Sequence, residues 1–144
     1  MNKEKVEIVL IEDNPADVEL TLHALRKKNL ANNVKVLTDG EEALDYLFNA
    51  CSISGNAECP YLILLDLKLP KVSGLEILER IRSDERTKMI PVVVLTSSEE
   101  EKDRVESYRL GVNSYIVKPV EFDDFAKAVA EIGFYWILLN KPAY

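Results

Sequence analysis

Residues Tyr61 to Gly74 read YLILLDLKLPKVSG, and the fold turns on how this stretch is read. Tyr61 to Leu65 is almost wholly apolar. It lacks the alternation of a sheet with one wet face, so it reads as a strand buried on both faces. Asp66 follows at once, and Leu67 to Gly74 reads as a turn into a helix carrying Leu75, Ile77, Leu78 and Ile81. The same grammar recurs on either side. Upstream, Val6 to Ile11 is a buried strand ended by Glu12-Asp13-Asn14. Pro15 suits a first helical turn, with Asn14 or Asp13 as cap, and Val18, Leu22 and Leu25 carry that helix on. Val34 to Leu37 is a second strand, and Thr38 or Asp39 caps a helix holding Ala43, Leu44, Leu47 and Phe48. Ala50 to Pro60 reads as a surface loop.

Downstream, Pro91 opens a strand over Val92 to Leu95. Glu99 to Leu110 is a strongly charged helix, and Gly111 is placed to stop it at a positive φ. Ser114 to Val117 is the fifth strand, broken by Lys118-Pro119, and a last helix runs from about Glu121 to Leu139. Five β–α units imply parallel strands joined by right-handed crossovers. The expected fold is a doubly wound, flavodoxin-like α/β sheet of order 2-1-3-4-5, with helices on both faces. The chain is expected to be one domain over residues 1–144, with its core at about 6–139 and a short tail at 140–144.

Composition narrows the function classes. The chain has 144 residues, 47% of them hydrophobic, with 18 basic side chains against 25 acidic ones for a net charge of −7. That balance argues against direct binding of nucleic acid, which needs clustered positive charge. No apolar run approaches the roughly 20 residues that span a bilayer, and Met1 to Glu7 lacks the apolar core of a signal peptide. Cys51 and Cys59 are too few for a disulfide scaffold. The expectation is a cytoplasmic protein with reduced, idle thiols. His23, the one histidine, reads as an ordinary residue of the first helix and makes a His-based zinc site implausible.

In such sheets the site lies beyond the carboxyl ends of the strands. There the sequence sets Glu12 and Asp13 after strand one, Asp66 after strand three, Thr96 after strand four and Lys118 after strand five. Singly, each has a plainer role: Asp13 as a cap ahead of Pro15, Thr96 as a cap for the helix near Glu99, Lys118 as a surface ion pair. Together they form a cluster of three carboxylates and one ammonium, a formal charge of −2. Mg²⁺, which takes a few carboxylates while keeping several waters, would relieve it. A carboxylate can attack phosphorus, and Asp66 is central by strand position. A hydroxyl and a lysine opposite would hold the remaining phosphoryl oxygens.

The segments IVLIEDNPAD, LILLDLKLPKVSGLE, PVVVLTSS and SYIVKPV resemble the receiver domains of two-component response regulators, over about Val6 to Leu139. The resemblance implies that Asp66 accepts a phosphoryl group from a phosphohistidine on a sensor histidine kinase. It implies that Glu12, Asp13, Asp66 and the backbone carbonyl of Lys68 bind Mg²⁺. Thr96 and Lys118 match the hydroxyl and ammonium that engage the phosphoryl group, and Tyr115 the aromatic that follows Thr96 on activation. Lys118-Pro119 matches a peptide bond commonly cis in the family. Glu12 departs from the usual Asp, and its longer side chain bears on whether it ligates directly or through water. The Lys68 side chain sits where it could alter phosphoaspartate lifetime, and the small Ser97 leaves the acceptor accessible. NPADVELTLHAL, the loop near Cys51, DLKLP, SYRLGVNSYIVKPV and the terminal aromatic helix resemble the single-domain regulators paired with bacterial phytochromes.

Phe122, Phe125, Val129, Ile132, Trp136 and Leu139 follow helical spacing, while Phe134, Tyr135, Ile137 and Leu138 fall on other faces. The expectation is an apolar patch that pairs with another copy of the chain. After Leu139 little remains for an output module, so the signal is expected to leave through the domain's own surfaces to a downstream protein. The rival class is a haloacid dehalogenase-like phosphohydrolase, which also uses an aspartate nucleophile. Its general acid would stand two residues after Asp66, where this chain has Lys68. A pseudo-receiver or flavin-binding module of the same fold is disfavoured by the intact acids and Lys118.

Overall fold

The computed structural model describes residues 6–27, 33–51, 59–97 and 100–118, together with Asp123. The chain alternates β1 (Ile8–Ile11), α1 (Pro15–Lys27), β2 (Val34–Leu37), α2 (Gly40–Ala50), β3 (Leu62–Leu65), α3 (Gly74–Ser83), β4 (Val92–Thr96), α4 (Glu101–Arg109) and β5 (Ser114–Val117). All pairings are parallel, and the sheet order is β2-β1-β3-β4-β5, as the alternation predicts. Ile11 pairs with both Leu37 and Leu65, so β1, β2 and β3 end level. Glu12 and Asp66 therefore leave the sheet side by side.

The apolar runs divide their side chains between two cores. Val9, Ile11, Ile63, Leu65, Val92 and Val94 face α2 and α3, packing with Leu44, Leu47, Ile77, Leu78 and Ile81. Ile8, Leu10, Leu62, Leu64, Val93 and Leu95 face the opposite side with Leu25 and Val18 of α1. This two-sided burial is why the central strands carry no polar alternation. A fully buried Leu or Ile contributes about 2 kcal/mol, so the strands that lead to the site residues are held by burial on both faces.

Local chemistry starts α1, α2 and α3, while α4 begins at Glu101 without a side-chain cap. Asn14 Oδ1 accepts from the amides of Ala16 and Asp17 at 2.9 and 3.2 Å, so Asn14 rather than Asp13 caps α1, with Pro15 in the first turn. Asp39, not Thr38, caps α2 by accepting from Glu41 and Glu42. Ser73 caps α3 through Glu76 N–H at 3.2 Å. Gly111, at φ 83°, follows α4 as anticipated.

Two expectations need correction. β4 does not stop at Leu95: Thr96 is its last residue, pairs with Val117 and accepts the Lys118 amide at 2.7 Å, so the plainer role of helix cap is not the one it takes. α4 starts later, at Glu101, and sheet pairing outcompetes capping for that backbone. The cysteines are not free thiols: Cys51 and Cys59 form a disulfide, with Cα atoms 4.6 Å apart. The count of two speaks only against a scaffold. A local staple needs no more than a short loop whose ends meet, and the end of α2 and the approach to β3 bring these two together. The last helix, its dimer face and the Lys118-Pro119 bond lie outside the described residues, apart from the helical Asp123.

Candidate functional site

Glu12, Asp13 and Asp66 each offer a carboxylate oxygen, and these three atoms lie within 4.8 Å of one another. Glu12 and Asp66 are buried and Asp13 is exposed, so the cluster opens outward over Asp13. Its backbone is anchored: Asp66 N–H donates to Ile11 O and Glu12 N–H to Leu37 O, both at 3.0 Å. The Lys68 amide donates to Asp66 Oδ1 at 3.1 Å, turning the loop after β3 back over that carboxylate. Gly74 allows α3 to begin close by. A Cβ there would lie 2.4 Å from Leu67 Cα and 2.5 Å from Asp66 O, so any side chain would displace the backbone that carries Asp66.

Lys118, from the end of β5, reaches across the sheet edge. Its Nζ donates to Glu12 Oε1 at 2.6 Å and to Asp17 Oδ2 at 2.8 Å, and stands 3.7 Å from Asp66 Oδ2. Burial pushes the Glu12 carboxyl up to about 7, with Asp66 adding to the rise and Lys118 opposing it. Burial works to lower the Lys118 ammonium, but its bonds to Asp17 and Glu12 prevail and hold it above its ordinary value. Lys118 is thus a charged donor among acids. Thr96 is fully buried at the end of β4. Tyr115, half-buried on β5, carries the Arg104 guanidinium 5.5 Å from its ring centre. The Lys68 side chain and Ser97 are exposed.

The sequence reading placed Glu12, Asp13, Asp66 and Lys118 in one site, and the structure brings them together. It overlooked Asp17. Asp17 lies in the first turn of α1, and only the assembled sheet brings Lys118 to it. The chemistry of the donor set suits a hard divalent cation, since three carboxyl oxygens lie within 4.8 Å of one another. Among the described residues, no helix is long and apolar enough to cross a membrane.

Comparison with known proteins agrees with this geometry. The family described as response regulator receiver domain matches residues 8–130. Response regulator Rcp1 of Synechocystis is 40% identical over 130 residues, covering 90% of this chain and 88% of that protein. The probable methanogenesis regulatory protein FilR2 of Methanothrix harundinacea is 42% identical over 134 residues, covering 93% of this chain and 85% of that protein. The solved structure of the bacteriophytochrome response regulator AtBRR is 53% identical with a TM-score of 0.74, covering 96% of this chain and 100% of that one. Rcp1 has also been solved in a form described as Mn²⁺-bound, at 38% identity and a TM-score of 0.73, covering 97% of this chain and 98% of that one.

Proposed function

Because this chain belongs to the response regulator receiver family, whose members are phosphorylated on an aspartate, we propose that Asp66 is its phosphoryl acceptor. The donor is a phosphohistidine on a sensor histidine kinase. An Asp66 carboxylate oxygen attacks phosphorus, the new O–P bond forms as the P–N bond breaks, and the electron pair returns to the imidazole. Glu12, Asp13, Asp66 and the Lys68 carbonyl would hold Mg²⁺, which supplies positive charge against the phosphoryl oxygens. The donor set and the Mn²⁺-bound form of Rcp1 support that assignment. The Thr96 hydroxyl and the Lys118 ammonium take the remaining oxygens, and Tyr115 follows Thr96 to change the α4–β5 surface. The observation that carries this reading is the meeting of three carboxylates within 4.8 Å beside an ammonium 3.7 Å from Asp66.

Acetyl phosphate with Mg²⁺ tests it. Mass spectrometry is expected to find one phosphoryl group on Asp66, absent in Asp66→Ala and absent when EDTA replaces the metal. No adduct on the wild type, or the same adduct on the variant, overturns it. Repeated turnover of p-nitrophenyl phosphate would favour a hydrolase instead.

The likeness to a bacteriophytochrome response regulator supports a phytochrome-type kinase as the donor. Membership of the receiver family supports a cytoplasmic setting for the exchange. The apolar spacing of residues 121–139 supports pairing with a second copy of the chain. Sedimentation velocity is expected to give a dimer in the presence or absence of beryllofluoride, and a monomer in both removes this part of the reading.

A further inference from the structure

The Lys118 ammonium can donate three hydrogen bonds, and two go to carboxylates on the same side of the site. Glu12 Oε1 lies at 2.6 Å and Asp17 Oδ2 at 2.8 Å, whereas Asp66 Oδ2 at 3.7 Å is beyond hydrogen-bond reach. Asp17 stands outside the carboxylate trio of Glu12, Asp13 and Asp66. Its own position is well determined: it belongs to the first turn of α1, and its amide donates to Asn14 Oδ1 at 3.2 Å. An acid in that first turn is also favoured by the helix dipole. The Asp17 contact is partly open to solvent, with 30% of its side chain exposed against 1% for Glu12.

We infer that Asp17 is a positioning residue that holds Lys118 on the α1 side and competes with the phosphoryl group for its ammonium. This inference rests on the reading of Asp66 as acceptor. A phosphorylated Asp66 presents new anionic oxygens, and Lys118 must turn toward them from Asp17. Asp17 weakens the phosphoryl state by holding an ammonium donor that the phosphoryl oxygens need. An asparagine here still accepts from the ammonium, but holds it more weakly than the carboxylate does. Its side chain touches no reacting atom, so it acts through Lys118 alone.

Beryllofluoride with Mg²⁺, a phosphoryl mimic that needs no donor protein, is the probe, with bound and free fluorine resolved by ¹⁹F NMR. Asp17→Asn is expected to bind it about five-fold more tightly, while Asp17→Glu, which keeps the carboxylate, returns toward wild type. In a Lys118→Met background the Asp17→Asn effect is expected to disappear, because a contact that works through the ammonium has nothing left to compete for. A five-fold gain that persists without Lys118 overturns the inference in favour of a bare field effect. An Asp17→Asn affinity within two-fold of wild type overturns it as well. If wild type binds no beryllofluoride and takes no label on Asp66, the acceptor assignment falls and this inference with it. Binding by wild type with no response at position 17 removes Asp17 alone.

Discussion

At the scale of the residue, Glu12 shows how burial sets chemistry. Its carboxyl is almost fully covered and titrates at about 7, against 4.5 for an exposed glutamate. The folded state therefore holds a proton that the unfolded chain releases. Between about 4.5 and about 7 the folded protein binds more protons, so its stability falls as pH rises through that window and levels off above it. In EDTA, denaturant titrations from pH 4.5 to 8 are expected to show this decline, and Glu12→Gln to flatten it. The same proton competes with a cation. Adding Mg²⁺ at pH 6 is expected to release close to one proton from wild type, measurable in weakly buffered solution, and markedly less from Glu12→Gln. Equal release from both would show that Glu12 is already ionised in the fold.

At the scale of the element, α3 is joined to the end of α4 and the entry to β4 by one side chain. Arg82, in the last turn of α3, donates to the carbonyls of Leu110 and Gly111 after α4, and to those of Lys88 and Ile90 ahead of β4. Burial pulls its guanidinium below the ordinary arginine value, yet the charge is retained among four acceptors. This fork ties α3, the α4–β5 turn and the entry to β4 into one unit, and Gly111 leaves room for it. Hydrogen bonds to a charged group each contribute about 1.5 to 3 kcal/mol, though the four share one cation. Arg82→Ala is expected to destabilise the protein by about 3 kcal/mol in urea unfolding, and Arg82→Lys by nearly as much, because a point charge cannot match the planar fork. A loss under about 1 kcal/mol for Arg82→Ala would show that water replaces the guanidinium freely. Asp66, the acceptor proposed above, follows the end of β3 and shares no hydrogen bond with Arg82, so beryllofluoride binding at 10 °C is expected to survive the change.

At the scale of the whole molecule, the Cys51–Cys59 bridge closes a short excursion between α2 and β3, the two half-cystines being 8 residues apart. Cys51 is fully buried, and both pack against the core on the α2–α3 face. Loop-closure entropy for such a ring corresponds to about 2.5 kcal/mol, which for a domain of this size is about 8 °C in the thermal midpoint. Paired Cys51→Ser and Cys59→Ser replacements, or full reduction by a phosphine, are expected to lower the midpoint by roughly that amount and to leave beryllofluoride affinity within two-fold. A midpoint unchanged by reduction would mean that packing of Cys51, not the covalent link, holds this corner. A large loss of affinity would mean instead that the corner is coupled to the strand ends.

Strand order, the two-faced core and the meeting of Glu12, Asp13, Asp66 and Lys118 were all legible in the chain itself. Buried parallel strands leave an unmistakable apolar run, and a polar residue that ends such a run can only emerge at the sheet edge. The starts of α1 and α2 were legible to within a residue, since Asn14 and Asp13, or Asp39 and Thr38, are equal candidates until the helix axis selects which oxygen meets the free amides, whereas α4 begins two residues later than its charge pattern suggests. Three features belonged to the tertiary structure alone. The grip of Asp17 on Lys118 joins residues 101 apart in sequence; the four-carbonyl fork of Arg82 joins segments up to 29 apart; and the cysteine pairing depends on where α2 ends relative to β3. Periodicity and local propensity act over a few residues, whereas these contacts depend on distances that exist only once the sheet has assembled.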